Sequence, residues 1–380
     1  MKNNKVGVIK GTEKLKSFEE LLKITEFNKV LLDVYESSKK KKSDFKIAIK
    51  PNMMVYTNAK DHDAIVTDKE LVEYLVEHIW AMNFSDIAVC EAQNDVGTML
   101  KNHNVKFIAD KIGYKPEGRY KIVDLTLESE SYKYEYIDEF GKIKYWKDTV
   151  GKTWREADFR ITFAKCKTHE HDWMTLGIKN IYGCFPNPNK VCRYHIKYEV
   201  FDVTAYSMRN FPLHFSFVDG WIGSDGFQGY KIPHPQPLKM LFGGKDAVTV
   251  DMEVFKRAGL DTHKSKVLQK TVIQINTGNF PDYVVEGDKE TKFNQLTDWQ
   301  NVTDDIVSGI DILEEVYIAM GLINIAPVGM QIDFDVFPPK NIIYRIVVWF
   351  MKKLYGIVKH FKFFKKLYRK RKFSVASKIL

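Results

Sequence analysis

The sequence has few cysteines. Its 380 residues contain only four, and none are spaced as a CxxC pair: Cys90, Cys166, Cys184 and Cys192. This sparse usage is typical of a reducing compartment and argues against a disulfide-rich scaffold. The first twenty residues also lack the apolar core of a secretory signal peptide. We therefore expect a cytoplasmic protein.

Known nucleotide-binding patterns are missing as well. The glycines at Gly223, Gly226 and Gly229 resemble turn sequences, but the chain has no GxGxxG or Walker pattern. Nucleotide binding of those types is not predicted. We also find no internal repeat.

Acidic residues are absent from residues 341–380, which hold 12 of the 58 lysines and arginines. The rest of the chain then has 46 basic and 49 acidic residues, a net charge of −3. The positive net charge of the whole chain, +9, therefore comes from the tail. A nucleic-acid-binding protein usually carries basic residues across a folded surface. Nucleic acid is thus an unlikely partner for the folded body.

The tail has the pattern of an amphipathic helix. Ile343, Ile346 and Phe350 begin an aromatic-rich apolar face, and Arg345 and Lys352 begin a basic one. Its unbroken apolar runs are shorter than the ~20 residues needed to span a bilayer. We expect residues 341–380 to hold the protein peripherally on an anionic membrane, at its inner face. Two alternatives are a helix docked on the body and binding to RNA or a protein partner.

Apolar strand patterns alternate with helical ones along the body. Strands are predicted at residues 5–11, 45–52, 86–92 and 121–126, with Ser17 and either Thr67 or Asp68 capping two of the helices. This order predicts a doubly wound α/β fold with a mostly parallel sheet and Rossmann-like layers. The expected organisation is an N-terminal α/β lobe (1–127), a β-hairpin insertion (128–150), a second α/β lobe (151–335) and the amphipathic tail (341–380).

Chemically versatile side chains are concentrated in three stretches. Residues 164–183 carry the densest set, residues 214–229 place two aspartates among glycines, and residues 243–251 add a third group. Ammonium, imidazole and carboxyl groups beside glycine turns are what a site needs to hold an anion or a metal. In order, these residues are Lys167, His169, His171, Asp172, Lys179 and Asn180; Asp219 and Asp225; and Lys245, Asp246 and Asp251.

An ordered set of motifs resembles the domain of unknown function 362 (DUF362) family. The resemblance covers about residues 45–260, and the family has no established reaction. The chain lacks the CxxCxxC run of its ferredoxin-like members. The motifs are Lys50-Pro51-Asn52, Glu91, Lys167-Thr168-His169, Lys179-Asn180-Ile181-Tyr182-Gly183, His195, Val218-Asp219-Gly220 and Asp246–Asp251.

The resemblance and the residue chemistry together define a candidate site. We expect catalytic roles for His169, His195 and Asp219, with His169, His171 and Asp219 as candidate ligands of a divalent metal. The competing interpretations are solvated lysines, a structural hydrogen bond for His169 and a helix cap for Asp246. The predicted substrate-binding residues are Lys50, Asn52, Glu91, Lys167, Lys179, Asn180, Asp246 and Asp251.

The favoured function is that of a peripheral membrane enzyme. It would act on a substrate bearing phosphate or carboxylate, by acid–base or metal-assisted chemistry. One alternative is a redox protein holding an iron–sulfur cluster or another metal through Cys166, Cys184, Cys192 and His195. Another is a non-enzymatic module that binds a metabolite at a membrane surface. The reaction, metal and oligomeric state are left open by the sequence.

Overall fold

A computed structural model describes most of the body of the chain. The described residues are 4–53, 56, 62–169, 172–190, 193–194, 198–225, 234–293, 334–346, 349 and 353. His171, Cys192, His195 and most of the tail lie outside them.

One large sheet organises the described residues. From one edge to the other its order is β12-β1-β11-β9-β7-β2-β3-β4, with β8 and β10 pairing to β7 and β9. Strands β9, β7, β2, β3 and β4 run parallel, whereas β11 is antiparallel to both of its neighbours. The strands are β1 (Asn4–Lys10), β2 (Ile47–Pro51), β3 (Ile87–Glu91), β4 (Lys121–Asp124), β5 (Ser129–Ile137), β6 (Ile143–Gly151), β7 (Phe159–His169), β8 (Trp173–Thr175), β9 (Phe215–Asp225), β10 (His234–Gln236), β11 (Met240–Gly244) and β12 (Tyr283–Gly287).

Both faces of the sheet are apolar because its central strands are buried on both sides. In β2, Ile47 and Ile49 belong to one hydrophobic cluster, and Ala48 belongs to the other. The first cluster is covered by α1 (Lys14–Ile24), α2 (Phe27–Ser38), α3 (Lys69–Ala81), α4 (Val96–Met99) and α5 (Val105–Ile112). The second is covered by α6 (Lys152–Glu156), α7 (Gly177–Asn180), α8 (Val200–Asn210), α9 (Ala247–Arg257) and α10 (Lys266–Ile275).

This arrangement confirms the predicted α/β fold with a mostly parallel sheet and helices on both faces. Residues 1–127 and residues 151–335 both contribute strands to this one sheet. In particular, β1 crosses to the far half, where it pairs with β11 and β12. The boundary drawn between the two lobes in the sequence is therefore not a boundary in the sheet.

Strands β5 and β6 form an antiparallel hairpin separate from the large sheet. Its turn lies between Asp138 and Lys142, where Gly141 has a left-handed φ of 74°. The inner side of the hairpin packs through Tyr134 and Trp146 onto Phe185. The hairpin thus adds an outer layer over the face that carries α7 and α8.

The predicted helix caps had different outcomes. Asp68 caps α3 by accepting a hydrogen bond from the Glu70 backbone N–H, as expected. The prediction for Ser17 was wrong, because α1 already begins at Lys14. The Ser17 hydroxyl lies inside that helix and donates to the carbonyl of Glu13.

Candidate functional site

The candidate site lies at the carboxyl edge of the parallel strands. Here β7 and β9 project beyond the end of β2, since Pro51 pairs with Phe163 whereas Lys165 pairs with Asp219 further along. In open α/β sheets, ligands bind in the crevice outside this edge. Two buried ion pairs and a chain of amide hydrogen bonds occupy it.

The first ion pair joins β2 to β3. The Lys50 Nζ lies 2.7 Å from Glu91 Oε2, and both side chains are almost fully buried. Lys50 also donates to the Pro51 carbonyl at 2.7 Å and to Asn180 Oδ1 at 3.2 Å. All three ammonium protons therefore have acceptors, so this lysine is rigidly held.

Gly183 closes over this pair without a side chain. A Cβ built there would lie 2.5 Å from Glu91 Oε1 and 2.7 Å from Lys50 Nζ. Any larger residue would push into two buried charges. This contact gives a physical reason for the glycine that ends the Lys179–Gly183 motif.

Two asparagines connect the first pair to Lys167. Asn180 Nδ2 donates to the Lys50 carbonyl at 2.8 Å, and Asn52 Nδ2 donates to Asn180 Oδ1 at 3.3 Å. The oxygen of the same amide, Asn52 Oδ1, accepts a hydrogen bond from Lys167 Nζ at 2.9 Å. Three separate stretches of sequence thus meet in one hydrogen-bonded network.

Lys167 is buried among other lysines. Its ammonium also donates to the Ile65 carbonyl at 3.1 Å. Burial lowers the pKa of Lys167 to about 7, and the charges of Lys50, Lys165 and Lys179 contribute to this effect. Four lysines therefore converge closely enough for their charges to interact.

The second ion pair joins β7 to β9. Lys165 Nζ lies 2.8 Å from Asp219 Oδ2, and neither side chain is more than 1% exposed. The Asp219 carboxylate also accepts from the backbone N–H groups of Asp68 and Trp221, both at 2.9 Å. Asp219 therefore faces three donors, which suits a carboxylate that anchors Lys165.

Lys179 and Lys190 enlarge the cationic region. The Lys179 ammonium is buried 5.6 Å from the centre of the Phe201 ring. Lys190 donates to the carbonyls of Gly183 and Phe185 at 3.0 and 2.7 Å. Burial lowers the pKa of Lys190 to about 8, with a further contribution from the charge of Lys50.

Two histidines lie near the lysines. His169 ends β7 and pairs with Trp173, two residues after Lys167 on the same side of the strand. Burial lowers the pKa of His62, and the charge of Lys165 lowers it further. His171 and His195 lie outside the described residues.

The remaining predicted aspartates are placed differently. Asp251 accepts from the backbone N–H groups of Gly177 and Ile178 at 2.9 Å each, and so fixes the start of α7. Asp246 caps α9 and accepts from Asn4 Nδ2 at 3.0 Å. Because β11 runs antiparallel, the turn after it lies at the opposite edge of the sheet, away from the lysines.

The described cysteines, Cys90, Cys166 and Cys184, are all buried. Burial raises the pKa of Cys166 and Cys184 to about 12 and that of Cys90 well above its ordinary value, which disfavours the thiolate that ligates metals. Among the residues that the structure describes, no three His, Cys, Asp or Glu side chains form a group that could hold a metal ion.

Two cationic residues of the site were not among the predicted ones. Lys165 had a signal in the sequence: lysines at 165 and 167 alternate along an otherwise apolar strand, so they share a face that should be buried. Lys190 had none, because it directly follows the irregular residues 185–189, where no strand or helix periodicity indicates which side chains are buried.

Fold and site together define an α/β protein with a buried, lysine-rich polar network at the carboxyl edge of its sheet. The family model described as domain of unknown function (DUF362) matches residues 47–256, which is more than half of the chain. The chain belongs to this family, as its motifs predicted. The matched region contains every residue of the network. No curated protein and no solved structure matches the chain.

Proposed function

We propose that this protein is an enzyme that binds an anionic small molecule, bearing phosphate or carboxylate, at the carboxyl edge of its sheet. The observation that carries the proposal is the buried hydrogen-bonded network that joins Lys50 to Lys167 through Asn180 and Asn52. Ammonium groups held close together in a region of low dielectric attract a phosphate or carboxylate group strongly.

We infer different tasks for the lysines. Glu91 and Asp219 fix Lys50 and Lys165 in place, and Lys167 donates to oxygens of Asn52 and Ile65. Burial and the charges of neighbouring lysines lower the pKa of Lys167, and a bound anion would oppose both effects. Ammonium groups act as point charges, and this suits phosphate as well as carboxylate.

His169 is the proposed proton-transfer group. It shares a side of β7 with Lys167 and lies at the end of that strand, so it would face the same bound anion. An imidazole is well suited to acid–base catalysis near neutral pH. Asp219 would act indirectly, by orienting Lys165.

Anion binding can be measured by calorimetry with phosphate, pyrophosphate and citrate. We expect Lys167→Met to weaken binding about tenfold or more, equal to roughly 1.4 kcal/mol. Lys133→Met is the matched control, since Lys133 is exposed and stacks on Tyr145 of the hairpin. Equal affinities for the wild type and Lys167→Met would refute the proposed site.

A panel of phosphate and carboxylate esters provides the activity measurement. His169→Gln should retain anion binding and lose most of the turnover. Full turnover in that variant would remove His169 from the mechanism, while leaving the binding site intact.

The tail would attach this enzyme to a membrane. Its first helical residues expose Ile342, Ile343, Ile346 and Trp349, each at least 59% accessible. Basic and no acidic side chains follow in the sequence. No helix among the described residues is long and apolar enough to cross a bilayer. Flotation with anionic vesicles tests the attachment, and Ile343→Glu/Ile346→Glu should abolish it.

A further inference from the structure

Residues 337–340, which directly precede the tail, pack against the body. Phe337 is fully buried, with its ring centre 5.2 Å from that of His103 and 5.7 Å from that of Phe107. A fully buried aromatic ring removes a large apolar surface from water, which holds the chain firmly at this position. The tail is therefore attached to the body by a specific contact immediately before its exposed residues.

Backbone hydrogen bonds reinforce this contact. Lys101 N–H donates to the Pro338 carbonyl at 2.8 Å, and Lys340 N–H donates to the Met99 carbonyl at 2.9 Å. The Lys340 ammonium also donates to the Gly97 carbonyl at 2.6 Å. Residues 337–340 thus run along the segment that contains α4.

The segment that contains α4 borders the candidate site. It follows β3 directly, and β3 ends at Glu91 of the first ion pair. A second connection runs through Tyr56. The centre of its ring lies 6.2 Å from that of Phe337 and 5.1 Å from that of His62. His62 in turn lies close enough to Lys165 for the lysine charge to lower its pKa. The exposed tail residues therefore begin at the same edge of the sheet as the lysines.

We propose that the substrate is an anionic lipid, whose phosphate head group enters the site from the membrane bound by the tail. This inference rests on the proposed function, since it requires an anion site. A tail that begins at the site's edge would keep the lysines within reach of the head-group layer. Ile342, Ile343, Ile346 and Trp349 would insert at the interface, and the basic residues of the tail would attract anionic lipid.

The test compares two sources of the same phosphate chemistry. Inorganic phosphate in solution probes the site alone. Phosphatidylcholine vesicles containing phosphatidate probe the lipid, and vesicles containing phosphatidylserine at matched surface potential control for charge. The full chain should bind phosphate and should prefer phosphatidate vesicles to phosphatidylserine vesicles by about tenfold.

Two variants and a control separate the contributions. Lys167→Met should lose both phosphate binding and the preference for phosphatidate, yet still bind both vesicles through the tail. Ile343→Glu/Ile346→Glu should lose binding to both vesicles and keep phosphate binding. Lys133→Met should behave as the wild type, and circular dichroism checks that each variant is folded.

The outcomes are distinguishable. Phosphate binding without a phosphatidate preference, or a preference that survives in Lys167→Met, overturns the lipid inference and leaves the proposed function standing. Binding of citrate without binding of phosphate overturns the lipid inference alone, and absence of binding to phosphate, pyrophosphate and citrate overturns both. If the Ile343→Glu/Ile346→Glu variant floats like the wild type, these residues contact protein rather than lipid, and the inference fails.

Discussion

At the scale of single residues, burial decides which charged groups matter. The side chains of Lys50 and Glu91 are only 1% and 3% exposed, so their ion pair is shielded from solvent. Taking two charges out of water is costly, so such a pair is stable only when both partners are present. Lys121 and Asp86 form a pair of similar length at the surface, where Lys121 is 70% exposed.

Glu91→Gln should therefore destabilise the fold by about 3 kcal/mol or more, because Lys50 keeps its charge and loses its counter-ion. Urea denaturation at neutral pH measures the effect. Asp86→Asn is the matched control, and it should cost less than about 1 kcal/mol because water screens the exposed pair. Similar losses in the two variants would contradict the importance given to burial.

Gly183→Ala should also be destabilising, by about 1–3 kcal/mol, because its Cβ would overlap Glu91 and Lys50. The comparison is Gly118→Ala, which meets no atom within 4 Å and only has to adopt a left-handed φ of 80°. That strain costs about 1 kcal/mol. Gly183→Ala should further weaken phosphate binding, whereas Gly118→Ala should not; calorimetry measures both.

At the scale of elements, the short helix α7 shows how a distant segment positions the site. It contains only four residues and is too short to be stable alone. The carboxylate of Asp251, on α9, holds its first two backbone N–H groups. Lys179 and Asn180 reach the network because of this anchor.

Asp251 should make stability depend on pH. Burial raises its pKa to about 7 in the folded protein, against an ordinary value of about 4. The contribution of Asp251 to the free energy of unfolding is therefore fully present below about pH 4, and it is lost as the pH rises through about 7. Asp251→Asn should lack this decline, so its stability relative to the wild type should improve between pH 4 and 7. Urea denaturation at a series of pH values measures the free energy of unfolding of both proteins. If the two curves run parallel between pH 4 and 7, the pKa of Asp251 is not raised.

Several elements were readable from sequence because local patterns specify them. Apolar runs predicted β1, β2, β3 and β4, and the expected cap at Thr67 or Asp68 predicted the start of α3. Strand β12 was missed, since Tyr283–Gly287 lies in a polar, mixed stretch and forms only because β1 offers an edge. Edge strands of this kind depend on their partner more than on their own pattern.

At the scale of the whole molecule, two kinds of force should contribute to the proposed membrane binding. Charge attraction by the basic tail weakens with salt, because the screening length falls from about 10 Å at 0.1 M to about 3 Å at 1 M. Insertion of Ile343 and Ile346 does not depend on salt in this way.

We therefore expect vesicle affinity to fall steeply with added salt and to reach a residual level that Ile343→Glu/Ile346→Glu removes. Vesicle flotation across a salt series measures both contributions. Binding that is insensitive to salt would contradict the role given to the twelve basic residues of the tail.

Strand and helix periodicity and motif order are local properties, so they were enough to establish the α/β class and the family and to locate the stretches of the candidate site. Which charged groups meet could be known only from the folded chain. It brought Lys165 and Lys190 to the site and linked Lys167 to Lys50 through two asparagines. It also placed Asp246 at the opposite edge. Strand order and direction set these positions, and both depend on pairing between residues far apart in the chain.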